Sequence, residues 1–130
     1  MTGAPSYLHP ADRVLWDAAY PVTPDGELQD GDIFTVGGVD VHVLHTPGHT
    51  YGACCFGVPA LGVVFTGDTL FAGGPGATGR SYSDFGAIID SISDKLLKLP
   101  PQTVVHPGHG DDTTIGAEAP HLQEWIDRGH

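Results

Sequence analysis

The sequence predicts an α/β domain of the α+β layered kind, with a sheet packed against helices. Three observations carry this. Short apolar runs bounded by Gly and Pro, such as IFTV (33–36) and GVVFTG (62–67), read as strands. Phe85, Ile88, Ile89, Ile92, Leu96 and Leu99 recur at helical spacing on one face. Hairpins dominate early in the chain, and strands alternate with helices late.

The elements follow in order. PSYLHP (5–10) reads as a short strand ending at Pro10. Pro10 can open a helix through 11–20, which Pro21 stops. Residues 23–32 form an acidic loop with turn signals at Asp25-Gly26 and Asp30-Gly31. IFTV (33–36), Gly37-Gly38 and VDVHVLHT (39–46) make a β-hairpin. ACCFGV (53–58) and GVVFTG (62–67) are further strands. The second is almost wholly apolar and is expected to be buried. A glycine-rich loop spans 72–83. The clearest helix runs from Phe85 to Pro100-Pro101, with Lys95 and Lys98 in its last turn, where cations suit the helix dipole. TVVH (103–106) is a last strand, and Pro120 opens a terminal helix carrying Leu122, Trp125 and Ile126.

The 130 residues fit one domain, 1–130, with 40% hydrophobic residues. A chain of this size buries roughly two thirds of its unfolded surface, enough for a true core. Five basic residues against sixteen acidic ones give a formal charge of −11. That charge repels nucleic acid and anionic membranes, which are set aside as partners. The only cysteines, Cys54 and Cys55, are adjacent and point to opposite faces of a strand, so no internal disulfide is expected. No signal peptide and no apolar run long enough to span a membrane is evident, so a cytoplasmic location is the expectation.

Three stretches share one pattern: an apolar strand, a tight glycine turn, then a ligand-type residue. VHVLHTPGHT presents His49, VVFTGDTLF presents Asp68, and TVVHPGHG presents His109. Two imidazoles and a carboxylate at strand ends suit zinc or another divalent metal. Taken singly, each has a plainer reading. A His after Pro-Gly and an Asp after Gly are common turn residues. Together, the metal reading and the plain one stand about level. His42 and His45 face opposite sides of their strand and cannot chelate one ion from it. His9 reads as structural, His121 and His130 as solvated, and His106 as a support for His109. AGGPGATGR (72–80) lacks the Gly-Lys-Ser/Thr ending of a P-loop. Arg80 could bind an anionic substrate group, although an Arg–carboxylate pair holding the loop is the expected arrangement. Cys54 and Cys55 read as small core residues rather than nucleophiles.

HTPGHT…ACCF, VVFTGDTLF and TVVHPGHG…TTIGAE, in this order and spacing, resemble the metallo-β-lactamase superfamily, especially its glyoxalase-II-like hydrolases. The resemblance covers nearly the whole chain. It implies an αββα sandwich with a metal site at one edge of two sheets. That site usually holds two zinc ions, with iron or manganese as other choices. His49 and His109 resemble the later histidine ligand of the first and second metal. Asp68 resembles the bridging carboxylate. The resemblance further implies hydrolysis of a small-molecule thioester or ester by a metal-bound hydroxide.

Two departures stand out. GATGRSYSDF (76–85) places Ser-Tyr-Ser between Arg80 and Asp84, where glyoxalase-II-like members have an aspartate soon after Gly-Arg. The superfamily's His-x-His-x-Asp-His is also absent, and no His-x-His occurs in the chain. In the family that motif lies upstream of the strand that TGAPSYLHPADR resembles. The expectation is therefore a partial sandwich lacking the N-terminal strands and four of the ligands. A single ion on His49, Asp68 and His109 would need the site to contract. The alternative to a hydrolase is a non-catalytic remnant that binds metal weakly or acts through an exposed sheet edge, with homo-oligomers as one result. A further reading places the true start upstream of Met1.

Overall fold

The structure, a computed structural model, describes residues 6–130. Pro5, the first residue of the strand expected over 5–10, lies outside them. Two short strands, β1 (Tyr7–Leu8) and β2 (Gly26–Glu27), pair in parallel around a 3-10 turn (Pro10–Asp12) and helix α1 (Arg13–Ala19). Proline at the start of the turn supplies a fixed φ where no amide donor is needed. The main sheet begins with β3 (Ile33–Val36), β4 (Val39–His45), β5 (Cys54–Val58) and β6 (Val63–Gly67). Next, β7 (Leu70–Phe71) and β8 (Gly74–Pro75) form a small antiparallel pair. Helix α2 (Phe85–Ser91) returns the chain to the sheet at β9 (Val104–Pro107) and β10 (Thr113–Thr114). Helices α3 (Ile115–Glu118) and α4 (Leu122–Arg128) end the chain.

The six main strands lie in the order β10-β9-β6-β5-β4-β3. All neighbours are antiparallel except β6 and β9, which run parallel. That parallel pair requires a crossover, and α2 supplies it. Asp68 and His109 therefore leave the same end of two adjacent strands.

Cross-strand partners share a face, so the register divides the sheet. Cys55, Val64 and Val105 lie on one face and are fully buried against Ile88, Ile92, Leu96, Ile115 and Trp125. The other face carries Phe34, Val41, Phe56 and Phe65. Among the described residues it is covered at its β3–β4 side, where Tyr7 meets Phe34 edge-on at 5.4 Å and His9 stacks on His45 at 3.8 Å.

The layered α/β architecture and the hairpin are as the sequence predicts. Several local expectations change. GVVFTG is buried on one face only: Val64 and Thr66 are sealed, while Phe65 is 47% exposed. The helix from Phe85 is α-helical only to Ser91, then widens into a π turn (Ile92–Leu96) that keeps Ile92 and Leu96 buried. The loop over 72–83 contains β8, and the acidic loop contains β2. Helical structure near the C-terminus begins at Ile115, where the Thr114 hydroxyl accepts from the Ala117 amide, rather than at Pro120. No helix among the described residues is long and apolar enough to cross a membrane.

His9 is structural, as expected. Its Nδ1 accepts from the Ala11 amide at 3.0 Å, capping the turn that presents Asp12. Burial lowers its pKa below the ordinary histidine value, and the neighbouring His45 lowers it further. The unfolded chain therefore binds a proton more readily than the folded one. Stability is expected to fall as pH drops below about 6.5, until the folded-state pKa is passed. Urea midpoints between pH 8 and 5 check this: His9→Asn, which can still cap the turn, should lose part of the acid sensitivity.

Candidate metal centre

The three predicted residues converge at the end of the sheet where β4, β6 and β9 finish. His49 Nε2 lies 3.4 Å from Asp68 Oδ2, and His109 Nε2 lies 3.5 Å from Asp68 Oδ1. Each histidine thus takes a different oxygen of one carboxylate. Side-chain exposures are 30% for His49, 45% for Asp68 and 78% for His109, so the centre opens to solvent on the His109 side.

Local sequence explains each placement. The loop after β4 is pressed against α2: the Asp84 amide donates to Gly48 O at 2.8 Å, and Ser91 Oγ donates to Pro47 O at 2.8 Å. Gly48 takes φ +147°, a conformation that side chains resist. Asp12 clamps the same loop, accepting from Thr50 Oγ1 at 2.7 Å and from the Gly52 amide at 2.6 Å. At the end of β6, Gly67 turns the chain with φ +52°. Gly108 serves differently. Its amide donates to Gly67 O at 2.7 Å, and a Cβ there would sit 3.1 Å from Asp68 Oδ1. It is small so that the His109 loop can lie on the Asp68 loop.

The ring of His49 has a defined tautomer. Its Nδ1 lies 2.7 Å from Ala77 O, and a carbonyl only accepts, so Nδ1 carries the hydrogen. In the neutral ring Nε2 is then a lone pair aimed at the Asp68 carboxylate. Two donors bound about 2.0–2.2 Å from one tetrahedral zinc lie about 3.4 Å apart. Both His–Asp separations match that spacing, so each half of the centre offers a divalent ion two donors, one imidazole and one carboxylate oxygen, where zinc sites ordinarily have at least three from protein. Among the described residues, no group of three or more His, Cys, Asp or Glu side chains is placed to hold one ion. The arrangement is a shared carboxylate with one imidazole on each side, not a three-ligand cage.

The other histidines stay outside. His42 pairs across from Gly57 and Ile33, away from the centre. His106 does not reach for His109; its Nδ1 meets Asp112 Oδ1 at 3.0 Å and its ring stacks on Phe65. It holds the far end of the loop that carries His109, whose ring rests against Phe71 at 4.6 Å.

The carboxylate expected on Arg80 is not found. Among the described residues Arg80 makes no ion pair. Ser83 Oγ holds that loop by accepting from the Gly79 and Arg80 amides, and Tyr51 donates to Ser81 O. Asp84, displaced from Gly-Arg in the sequence, caps α2 by accepting from the Ala87 amide at 2.9 Å. Burial raises the Cys55 thiol to about 11 and the Cys54 thiol to about 12, so neither supplies a thiolate near neutral pH.

Sequence reasoning did not single out Asp12, nor Thr46 and Thr69, which lie buried under the centre. Their signal in the sequence was the Thr in each of His-Thr-Pro-Gly-His and Gly-Asp-Thr, read only as part of a turn.

Known proteins resemble this chain over most of its length. A family model described as the metallo-beta-lactamase superfamily matches residues 2–109. An uncharacterized protein of Mycobacterium tuberculosis is 42% identical over 139 residues, covering 89% of this chain and 62% of its own length. The hydroxyacylglutathione hydrolase GloC of Haemophilus influenzae is 43% identical over 90 residues, covering 69% of this chain and 42% of its own. The crystal structure of TTHA1623 in a di-iron-bound form superposes with a TM-score of 0.80 at 38% identity, covering 91% of this chain and 63% of that one. The BLEG-1 B3 metallo-beta-lactamase follows at 0.78 and 33%, with the same coverage. The chain thus spans less than two thirds of the length of these relatives. By sequence and by fold, this chain belongs to the metallo-beta-lactamase superfamily, a family of metal-dependent hydrolases, on its glyoxalase-II-like side.

Proposed function

We propose that this chain contributes the Asp68-centred part of a two-ion site for hydrolysis of a small thioester or ester. The observation that carries this reading is Asp68 itself, with one oxygen facing His49 and the other facing His109 at metal-ligand spacing. Ions bound there would polarise a carbonyl and lower the pKa of a water. The chain's own residues do the rest. Ala77 O fixes the His49 tautomer, Asp12 holds the His49 loop, and the loop over 77–83 is tied to it by Tyr51 donating to Ser81 O. Zinc is the first metal to test, since imidazole and carboxylate suit it. Iron is the second, because a similar protein was crystallised with two irons.

Arg80 makes no ion pair among the described residues, which leaves its guanidinium available to an anionic group of the substrate. A hydroxyacylglutathione, the substrate class in the name of one relative, carries such carboxylates. Arg80→Ala is expected to raise KM several-fold for an anionic thioester with kcat unchanged, since uniform binding alone is lost. Steady-state kinetics with charged and neutral thioesters check this.

The test of the reading combines metal content with turnover. After purification without added metal, one to two equivalents per chain with thioester hydrolysis supports it. A folded protein without metal and without activity overturns it. That outcome supports a second reading, favoured by the edge strand β3, where Ile33 and Val36 are 55% and 66% exposed. In it the 1–130 domain associates through this edge, either with a second copy or with another polypeptide, and light scattering across concentrations would show it.

A further inference from the structure

Beneath the centre lies a polar cluster that the proposed chemistry does not touch. Thr46, Thr66 and Thr69 are 0%, 0% and 1% exposed, yet every buried side-chain polar atom among the described residues has a partner. Thr46 Oγ1 lies 3.2 Å from Thr69 Oγ1. It also lies 3.3 Å from both Ala53 O and Cys55 Sγ. Thr66 Oγ1 donates to Leu70 O at 2.7 Å, and the Thr69 amide donates to Thr66 O at 2.9 Å. A buried hydroxyl is costly without a partner, so these threonines are retained against the apolar surroundings.

Their place in the chain gives the cluster its meaning. Thr46 opens the loop that presents His49, and Thr69 directly follows Asp68. These loops come from β4 and β6, which are not neighbours; β5 separates them. No ladder hydrogen bond can therefore fix one loop against the other. The Thr46–Thr69 hydroxyl bond crosses above β5 and joins them directly, with Cys55 of β5 beneath it.

We infer that Thr46 and Thr69 are positioning residues, whose hydroxyl–hydroxyl bond sets the separation of His49 from Asp68 and so the affinity of the centre for a divalent ion. The inference rests on the metal-site reading above. One hydroxyl donates its proton and the other accepts it, so removing either loses the bond. Valine keeps the shape and removes the hydroxyl; serine keeps the hydroxyl.

The experiment titrates Zn2+ and Co2+ into the full chain against a competing chelator, at a temperature where every variant is folded. Thr69→Val is expected to weaken binding by about tenfold, the scale seen when groups supporting metal ligands are removed. Thr69→Ser should bind like the wild type, and the visible spectrum of bound Co2+ should change in Thr69→Val but not in Thr69→Ser. Thr46→Val, which also loses the contacts to Ala53 O and Cys55 Sγ, should weaken binding at least as much, and the double variant should be no worse than Thr46→Val alone, because that substitution already removes the shared bond. Wild-type affinity in whichever valine variant folds would overturn the inference. Equal losses in Thr69→Val and Thr69→Ser would do the same. Asp68→Ala is the control: if it binds metal as the wild type does, the metal-site reading fails first. If it loses binding while the valine variants keep it, only the positioning role fails.

Discussion

Asp68→Ala is expected to abolish binding at both halves of the centre. Asp68 is the one residue that both His49 and His109 face, each through its own oxygen. Without it each imidazole stands alone, and a single neutral imidazole holds an ion poorly. The loss should exceed about 100-fold, the upper end of what removal of a supporting group costs. His49→Ala and His109→Ala should each remove one half, leaving the other weakened through loss of charge neutralisation. His42→Ala should bind as the wild type does, because His42 lies across from Gly57 and Ile33, remote from the loops. Calorimetric titration of the four variants with Zn2+ decides it. Equal affinity in all four would sink the assignment of His49, Asp68 and His109.

Gly48→Ala is expected to produce a large loss of stability. Two costs add. The backbone sits at φ +147°, where a side chain is strained by about 1–3 kcal/mol. A Cβ there would also land on the Cα and Cβ of Ile88, a fully buried residue of α2. Overpacking of that kind costs a further 1–3 kcal/mol or so. The sum is a large part of the roughly 5–15 kcal/mol that holds a domain together. Gly62→Ala is the comparison, since Gly62 has φ +64° with open space around it and carries the strain alone. Urea midpoints for the two should differ clearly, with Gly48→Ala lower. Midpoints that coincide would mean that the His49 loop is not seated on α2 as described.

Much of this was legible in the sequence, for a local reason. The β3–β4 hairpin and the start of α2 follow from periodicity and turn chemistry within a few residues. The meeting of His49, Asp68 and His109 follows from strand, glycine and polar residue in succession, a pattern that can be read without any knowledge of tertiary contacts. Other features depend on residues far apart. The two-residue strands β1, β2, β7, β8 and β10 exist only because a partner lies alongside. The apolar neighbours of Phe65 in the sequence suggest burial, yet on its face of β6 none of the described residues seals it from solvent. Asp12 reaches the loop that holds His49 across 38 residues of sequence, and no local pattern could announce that. Thr46 and Thr69 were visible in their motifs, but their bond spans a strand that lies between them.

The parallel pairing of β6 with β9 has a consequence for the order of events during folding. Phe65 meets His106 only after the glycine-rich loop, α2 and the π turn have been drawn across the sheet. Closing so long a segment costs entropy before its contacts form, so this pairing belongs among the slow steps. Asp68 and His109 come together only when it is complete. An ion that needs both sides of that carboxylate has nothing to grip in the half-formed chain. On the proposed metal-site reading, a bound ion would therefore slow escape from the native state without hastening arrival at it.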